Sequence, residues 1–347
     1  MHAPSGRLID LSDAVGTILA HDITEIRPRE FKGPAYKKGH IVTEEDLSHL
    51  ARLGKQHLYV LDIKPDMMHE DEAALFLAGA LAGDGITYHP RPSEGKINLT
   101  AARDGLFKVR VEALTEFNLV NEVMCASRHT NTIVRQGDIV AGTRAIPLVI
   151  ARRHVEHAVQ VAEEAGGVFS VRPLAQPRVG LIVTGNEVYF KLIEDRFVTV
   201  IQPKLEAFHC PILRVAFTPD DPAFIARTVR SLIEEGAELL VTTGGMSVDP
   251  DDVTRIGVLQ AGAKSILYGS AVLPGAMLML ADVDGIPVIG VPACGLYHDR
   301  TIFDLVLPRV LAGEMLTHRD LAAMGHGGLC LNCPTCNFPK CPFGKAA

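Results

Sequence analysis

The feature that most constrains the fold is an alternation of apolar runs and helical stretches that begins at residue 178. One helical stretch, DPAFIARTVRSLIEEGA, opens with a capping residue, Asp221, and has Pro222 at its first helical position. Such alternation predicts an α/β fold, a doubly wound and mostly parallel sheet flanked by helices. The predicted strands are RVGLIVTG, PILRVAFT, ELLVTTGG, AMLMLAD and IPVIGVPA.

The residues before this alternation predict smaller α+β and β-rich parts. Thr43 and Asp46 have the spacing of a capping box, which predicts a helix after Thr43 and a strand, HLYVLDI, behind it. Further on, LFKVRVEAL alternates apolar and polar residues, as a half-buried strand does. The predicted units are a small α+β unit at 1–65, a β-rich domain with one helix at 66–150, a helix and proline-containing linker at 151–177, the α/β domain at 178–315 and a cysteine-rich tail at 325–345.

Composition argues against several classes of protein. The formal net charge of -7, without a basic run, disfavours nucleic acid as a partner. The N-terminus lacks the apolar region of a signal peptide, and no segment reaches the ~18 apolar residues of a membrane span. We therefore expect a cytoplasmic protein that binds neither nucleic acid nor membrane.

The stretch TTGGMSVDPDDVT, residues 242–254, follows the apolar run ELLV. Gly244 and Gly245 permit positive φ and a close approach of main-chain amides to a ligand, and the neighbouring threonine hydroxyls add donors. A helix starting near Asp251 would direct its positive end into this loop, so the pattern fits an anion cradle. The alternative is a tight strand-to-helix turn in which Asp251 only caps the helix.

Carboxylates in the same loop suggest a cation. Asp249, Asp251 and Asp252 would repel an anion unless a hard ion such as Mg²⁺ lay between them. Two further loops, residues 183–189 and 290–300, also follow apolar strands and should meet this one at the carboxyl edge of the sheet. Glu187 from the first of these loops is either a further ion ligand or a solvated loop charge.

These motifs resemble a known domain. TTGGMSVDPDDVT is similar to the signature of the molybdopterin-binding domain shared by molybdopterin adenylyltransferases, molybdopterin molybdenumtransferases and gephyrin. VTGNEV resembles that family's Thr-Gly-Asn/Asp-Glu element, and VLPGAML its Pro-Gly element, so the resemblance covers residues 178 to about 312. DAVGTILAHDI and the segment around KKGHIVTEEDL resemble the beginning of the molybdenumtransferases more loosely.

The resemblance implies molybdopterin or its adenylylated form as the ligand. It implies that Asp252 and Glu187 bind Mg²⁺ or polarise the phosphate, which makes them the candidate catalytic residues. It also implies a homo-oligomer, and a molybdoenzyme or cofactor-assembly protein as a partner. The candidate ligand-binding residues are Thr184, Gly185, Asn186, Thr242, Thr243, Gly244, Gly245, Ser247, Pro274, Gly275 and Cys294.

Departures from the family pattern leave the activity open. Thr199 occupies the position where the family usually has an aspartate, and Ala293-Cys294-Gly295 replaces part of a Pro-Gly-Asn-Pro loop. The chain is thus either an enzyme like the molybdenumtransferases or adenylyltransferases, or a non-catalytic carrier or redox or metal sensor. Cys294 is either a thiol activated at a helix N-terminus or a small packing residue.

The tail carries four cysteines in the spacing C-x₂-C-x₂-C-x₄-C, at Cys330, Cys333, Cys336 and Cys341. Thiolates are soft ligands that suit zinc or an iron–sulfur cluster. The spacing is one residue longer than the bacterial ferredoxin run and lacks the long loop of zinc sites, which favours [4Fe–4S] over zinc. The remaining alternative is clustering without metal; with metal, we expect the tail to fold around it.

Overall fold

The computed structural model describes residues 6–27, 31–61, 63–93, 95–246 and 252–345. None of the helices in these ranges has the length and hydrophobicity that a membrane span requires. The chain forms a first unit, a middle unit and a C-terminal unit, followed by the cysteine-rich tail.

The first unit packs a helix and short strands around Leu19, Ile23 and Leu50. Its predicted helix is confirmed, because α1 begins directly after Thr43 and the Asp46 carboxylate accepts the Thr43 amide at 2.8 Å. Strand β5 lies between β1 and β2. The elements are β1 (Gly6–Asp10), β2 (Ile18–Leu19), β3 (Ile23–Arg27), β4 (Phe31–Tyr36), α1 (Glu44–Arg52) and β5 (His57–Leu61).

The middle unit combines antiparallel strands with helices. The elements are β6 (Met67–His69), α2 (Glu70–Leu81), β7 (Ile86–Tyr88), β8 (Lys96–Ala101), β9 (Gly105–Val109), α3 (Val111–Leu119), β10 (Val123–Ser127), β11 (Thr132–Val134), β12 (Ile139–Ala145), β13 (Val149–Ala151), α4 (Arg152–Glu164) and β14 (Phe169–Arg172). The strand predicted for LFKVRVEAL is wrong in its second half, where α3 begins. There Ala113, Leu114 and Phe117 recur at helical spacing and pack on the core of this unit.

The helix predicted within 151–177 is present as α4, and together with strand β14 it lies within the middle unit. Val155, Ala158 and Ala162 of α4 are buried in its core, and β14 pairs with β9. The segment between β14 and the C-terminal sheet is therefore short. The carboxylate of Glu314, beyond that sheet, reaches back to Lys108 of β9 at 2.6 Å and ties the two units together.

The C-terminal unit has the predicted doubly wound α/β fold. Its sheet has the order β16-β15-β17-β20-β19-β18; the first four strands are parallel, whereas β19 pairs antiparallel with both β20 and the edge strand β18. The elements are β15 (Val179–Thr184), α5 (Asn186–Tyr189), α6 (Phe197–Glu206), β16 (Ile212–Thr218), α7 (Pro222–Glu234), β17 (Leu239–Thr243), α8 (Thr254–Gln260), β18 (Ile266–Tyr268), β19 (Met279–Val283), β20 (Ile286–Val291), α9 (Ile302–Leu311) and α10 (His318–Ala323).

Successive strand residues explain why helices cover both faces of this sheet. Leu181 packs in the core beneath α6, α9 and α10, whereas Ile182 packs on the opposite side against α7 and α8. The predicted cap is confirmed, because the Asp221 side chain accepts the Phe224 amide at 2.9 Å at the start of α7. Pro203 lies within α6, toward its C-terminal end.

The cysteine-rich tail runs in turns and bends against the C-terminal unit. The side chain of Phe343 is 2% exposed and joins the core that contains α9. At the start of the tail, Leu273 donates its amide to the carbonyl of Gly328 at 2.9 Å, and Cys330 donates its amide to the carbonyl of Leu273 at 2.8 Å. The tail is thereby joined to the segment that precedes the Pro-Gly element.

Candidate functional site

The strands β15, β17 and β20 are neighbours and parallel, so their carboxyl ends share one edge of the sheet. They end at Thr184, Thr243 and Val291. Loops after β17 and β20 meet there around a cavity of about 320 Å³, which we call the strand-end cavity. Its lining is Gly244, Gly245, Met246, Asp252, Leu273, Pro274, Gly275, Ala276, Met277, Pro292, Ala293 and Cys294.

The glycine pair after β17 is required by its backbone. Gly244 and Gly245 have φ of 83° and 58°, so the predicted positive φ is confirmed at both. A Cβ at Gly244 would lie 2.6 Å from the Thr184 carbonyl oxygen, and one at Gly245 would lie 2.2 Å from the Thr254 hydroxyl. Any side chain at either position would therefore displace the loop.

The carbonyls of this loop are held by the protein. Gly245 accepts the Thr254 amide at 3.1 Å, Gly244 accepts the Thr254 hydroxyl at 3.2 Å, and Met246 accepts the Tyr268 hydroxyl. Among the described residues, the amides of Gly245 and Met246 donate to no acceptor. A loop whose carbonyls are fixed and whose amides lack acceptors is suited to hold an anion.

The threonine hydroxyls lie beneath the loop rather than in the strand-end cavity. Thr242 and Thr243 are fully buried, and their hydroxyls have no hydrogen-bond partner within the described residues. The Thr184 hydroxyl, also buried, donates to the Thr243 carbonyl at 2.9 Å and lies 3.0 Å from the Thr254 hydroxyl. Of the predicted ligand donors in this loop, the structure brings the glycines to the cavity and places these threonines behind them.

Asp252 is the acidic residue of the TTGG loop that the structure brings to the strand-end cavity. Ser247, Asp249 and Asp251 lie outside the described residues. The helix expected near Asp251 begins at Thr254 and extends over seven residues. Because Thr254 is used to hold Gly244 and Gly245, the start of α8 shapes the loop by hydrogen bonds rather than through a long helix dipole.

The loop after β15 makes different contacts. Gly185 is buried with φ of 141°, and Asn186 exchanges hydrogen bonds with Asp220 through its amide, at 2.9 Å, and its side chain, at 3.2 Å. Glu187 is exposed in the first turn of α5 and does not line the strand-end cavity. The structure therefore does not bring Glu187 and Asp252 to one cavity.

The Pro-Gly element forms a further wall of the strand-end cavity. Pro274 accepts the Ile302 amide at 3.1 Å, at the start of α9. Gly275 has φ of 128°, and a Cβ there would lie 2.3 Å from the Ile302 side chain. This wall is thus packed directly on α9.

Cys294 lines the strand-end cavity in a short 3₁₀ turn, Ala293–Leu296. Burial raises the pKa of its thiol above the usual value. Of the two alternatives for Cys294, these observations favour the packing residue, because α9 begins only at Ile302 and desolvation disfavours the thiolate.

The four tail cysteines line a second cavity of about 380 Å³, the cysteine cavity, next to the first. Cys333 and Cys336 are exposed, whereas Cys330 and Cys341 are partly buried. The Arg300 guanidinium lies 5.2 Å from the Phe338 ring in this cavity; burial opposes its charge, but Asp304 and the Cys336 thiol raise its pKa overall. Within the described ranges, no three His, Cys, Asp or Glu side chains are close enough to hold a metal ion.

Sequence reasoning missed three residues that shape these cavities. Thr254 is the last residue of the stretch TTGGMSVDPDDVT, and its place in that motif could have indicated a role in the loop. Tyr268 holds the Met246 carbonyl from strand β18, and Arg300 lines the cysteine cavity with Cys336, but both arrangements join segments far apart in sequence. No local pattern indicates them.

Comparison with known proteins gives two family matches. Residues 180–313 match a family described as "Probable molybdopterin binding domain", and residues 8–62 match a domain of unknown function. The first unit thus has a family match of its own, whose description names no function.

Three curated relatives resemble parts of the chain. A molybdenum cofactor biosynthesis bifunctional protein of Chlorobaculum tepidum is 29% identical over 28% of this chain and 30% of its own length. A molybdopterin molybdenumtransferase of Synechococcus elongatus is 29% identical over 30% of this chain and 28% of its own. A CinA-like protein of Mycobacterium sp. (strain JLS) is 36% identical over 26% and 21%. The matches thus span less than a third of each relative.

Two solved structures show how far the likeness of fold extends. The molybdopterin biosynthesis enzyme MoaB of Thermus thermophilus has 19% identity and a TM-score of 0.35, over 40% of this chain and 98% of that one. The molybdopterin biosynthesis MoeA protein of Pyrococcus horikoshii has 14% identity and a TM-score of 0.32, over 92% and 76%. Scores this low add nothing to a functional argument.

Proposed function

We propose, for a chain whose residues 180–313 carry a domain of the probable molybdopterin binding family, that the strand-end cavity binds molybdopterin or its adenylylated form during molybdenum cofactor biosynthesis. One observation carries this proposal. The TTGG loop, the Pro-Gly element and the loop after β20, far apart in sequence, line the same cavity. We also propose that the chain acts in the cytoplasm.

The phosphate end of the ligand would lie at the glycine pair. There the amides of Gly245 and Met246, which donate to no acceptor among the described residues, supply donors. Leu273, Pro274 and Met277 give this cavity an apolar surface against which a flat pterin ring can pack.

Asp252 would hold Mg²⁺ beside the phosphate. A carboxylate next to an anionic ligand is repulsive unless a cation joins them, and Mg²⁺ is commonly bound through one or two carboxylates together with substrate phosphates. In this role Asp252 is the candidate catalytic residue. Glu187, on the exposed first turn of α5, acts only if the loop after β15 closes on the ligand.

A second candidate function is that of a non-catalytic molybdopterin carrier or a redox or metal sensor. It is favoured by the placement of Glu187 outside the strand-end cavity and by Thr199, which is exposed on α6 where the family usually has an aspartate. Turnover of adenylylated molybdopterin with molybdate and Mg²⁺ separates the two. Product formation supports a transferase, and tight binding without product supports a carrier.

The tail would hold a [4Fe–4S] cluster or zinc. The spacing of its cysteines and their position around one cavity, beside the Arg300 cation, support a metal-thiolate site, since a positive charge offsets that of the thiolates. Anaerobic purification with analysis of iron, sulfide and zinc decides between the metals. We further propose a homo-oligomer that delivers its ligand to a molybdoenzyme or a cofactor-assembly partner. Sedimentation measures the oligomeric state, and copurification tests for the partner.

The binding test compares two glycine substitutions. Gly245→Ala places a methyl group against the Thr254 hydroxyl and displaces the amides. We expect molybdopterin affinity to fall roughly tenfold or more, which corresponds to the loss of one charge-assisted hydrogen bond. Gly285→Ala is the matched control: Gly285 also has positive φ, but a Cβ there meets nothing within 4 Å, and the residue precedes β20 at the opposite edge of the sheet.

Asp252→Asn completes the test. It should weaken binding in the presence of Mg²⁺ and have little effect after chelation, because the carboxylate acts through the ion. If Gly245→Ala and Asp252→Asn both bind molybdopterin like the parent chain, the strand-end cavity is not the binding site.

A further inference from the structure

We propose that metal binding by the four tail cysteines sets the shape of the strand-end cavity, so that the affinity for molybdopterin depends on the metal content of the tail. This regulation rests on the proposed function of that cavity. The observation behind this proposal is that two walls of the strand-end cavity continue directly into the walls of the cysteine cavity.

The first shared wall is the Pro-Gly element. Leu273, directly before Pro274, lines the strand-end cavity and is held by main-chain hydrogen bonds to Gly328 and Cys330 of the tail, at 2.9 and 2.8 Å. Cys330 is itself the first cysteine of the cluster. A metal bound to its thiolate would fix the tail segment that positions Leu273.

The second shared wall is the loop after β20. Cys294 lines the strand-end cavity, and six residues later Arg300 lines the cysteine cavity together with Cys336, with its guanidinium 5.2 Å from the Phe338 ring. A change in the position of Cys336 therefore acts on this loop. The Pro-Gly element and the loop after β20 would thus both respond when the tail cysteines bind a metal.

The tail has room to respond. Cys333 and Cys336 are exposed, and within the described residues no three potential ligands converge on one point, so binding a metal requires the thiols to approach each other. Only part of the tail is fixed in the core, chiefly by Phe343. The approach must then be accommodated by the contacts to Leu273 and Arg300. Linkage requires that molybdopterin raise metal affinity by the same factor as metal raises molybdopterin affinity.

The test uses the full chain purified anaerobically and freed of metal. It is then loaded either with Zn²⁺ alone or with ferrous iron and sulfide. Hydrogen–deuterium exchange is followed in residues 271–278 and 292–300, and the Kd for molybdopterin is measured in each state. We expect loading to slow exchange in both segments and to lower Kd by about fivefold or more.

Two variants separate coupling from metal binding. Gly328→Ala keeps all four thiols, but its Cβ would lie 2.5 Å from the Met324 carbonyl and 2.8 Å from that of Ala271, which displaces the tail from Leu273. The Gly328→Ala variant should still bind metal. In this variant, however, metal should no longer slow hydrogen exchange at residues 271–278 or change the Kd for molybdopterin. Cys333→Ser with Cys336→Ser should lose the metal effect altogether, whereas the neighbouring exposed substitution Thr335→Ala should keep it.

The outcomes distinguish this coupling from the proposed function. If loading slows exchange in both segments but molybdopterin does not bind in any state, the coupling stands and the proposed ligand is wrong. If molybdopterin binds equally in the metal-free and loaded chains and exchange is unchanged, the coupling is overturned and the ligand stands. A parent tail that takes up neither Zn²⁺ nor an iron–sulfur cluster also overturns the coupling.

Discussion

Two threonines at the ends of neighbouring strands should respond oppositely to the same substitution. Thr243 is fully buried at the end of β17, and its hydroxyl has no partner within the described residues. Burying a hydroxyl without a hydrogen bond costs about 1–3 kcal/mol in proteins. Because valine has nearly the same shape, Thr243→Val should raise the free energy of unfolding of the C-terminal unit by about 1 kcal/mol or more.

Thr184 is the matched comparison at the end of β15. Its hydroxyl donates to the Thr243 carbonyl at 2.9 Å and lies 3.0 Å from the Thr254 hydroxyl, so Thr184→Val removes bonds that exist. Losing them while their partners stay buried should cost about 1–3 kcal/mol. The two valine variants should therefore differ by about 2 kcal/mol or more, with opposite signs relative to the parent.

The assay is scanning calorimetry of the full chain combined with hydrogen exchange of the β15 and β17 amides, which assigns the transition to the C-terminal unit. One kcal/mol corresponds to roughly 2–4 °C in a domain of about 150–250 residues. Molybdopterin affinity should be unchanged in Thr243→Val. A Thr243→Val variant that is destabilised as much as Thr184→Val, or that loses affinity, would refute the reasoning, since the hydroxyl would then have a partner in the protein or the ligand.

Further predictions concern the other units and the free thiols. Glu314→Gln removes the negative charge that pairs with the partly buried amine of Lys108 at 2.6 Å and leaves only neutral acceptors such as Asn131, so urea unfolding should show a loss of about 3 kcal/mol and faster proteolysis between the middle and C-terminal units. Burial opposes ionisation of Asp46, but hydrogen bonds from Thr43 and His40 outweigh it and lower its pKa to about 2. Since its unfolded pKa is about 4, the stability it lends the first unit is present above pH ~4 and lost as the pH falls toward ~2; Asp46→Asn should abolish that dependence in acid titrations followed by circular dichroism. Burial raises the pKa of Cys125 to about 12, so its thiol should not react with a disulfide reagent in the native protein at pH ~8. After unfolding in urea, the same thiol should be labelled.

Local signals predicted the parts of the fold that depend on local physics. The caps at Thr43 and Asp221 and the positive φ of Gly244 and Gly245 follow from residue chemistry at a single turn, and all are present. Errors arose where two local patterns overlap. Alternation in LFKVRVEAL continues past Val109, but burial of Phe117 at helical spacing decides the second half in favour of α3.

The candidate site could likewise be predicted only in part. The alternation of strands and helices indicates the strand order, and the strand order determines which loops reach the strand-end cavity. The role of each side chain there depends on contacts between distant segments. The hydroxyls of Thr242 and Thr243 look like ligand donors in sequence, yet the strand pairing that brings their loop to the sheet edge also buries them. A parallel strand between two others has both faces covered, so side chains donate to a ligand only beyond its last paired residue. In this chain the first residues beyond that point are Gly244 and Gly245, so the proposed anion would be recognised there by main-chain amides.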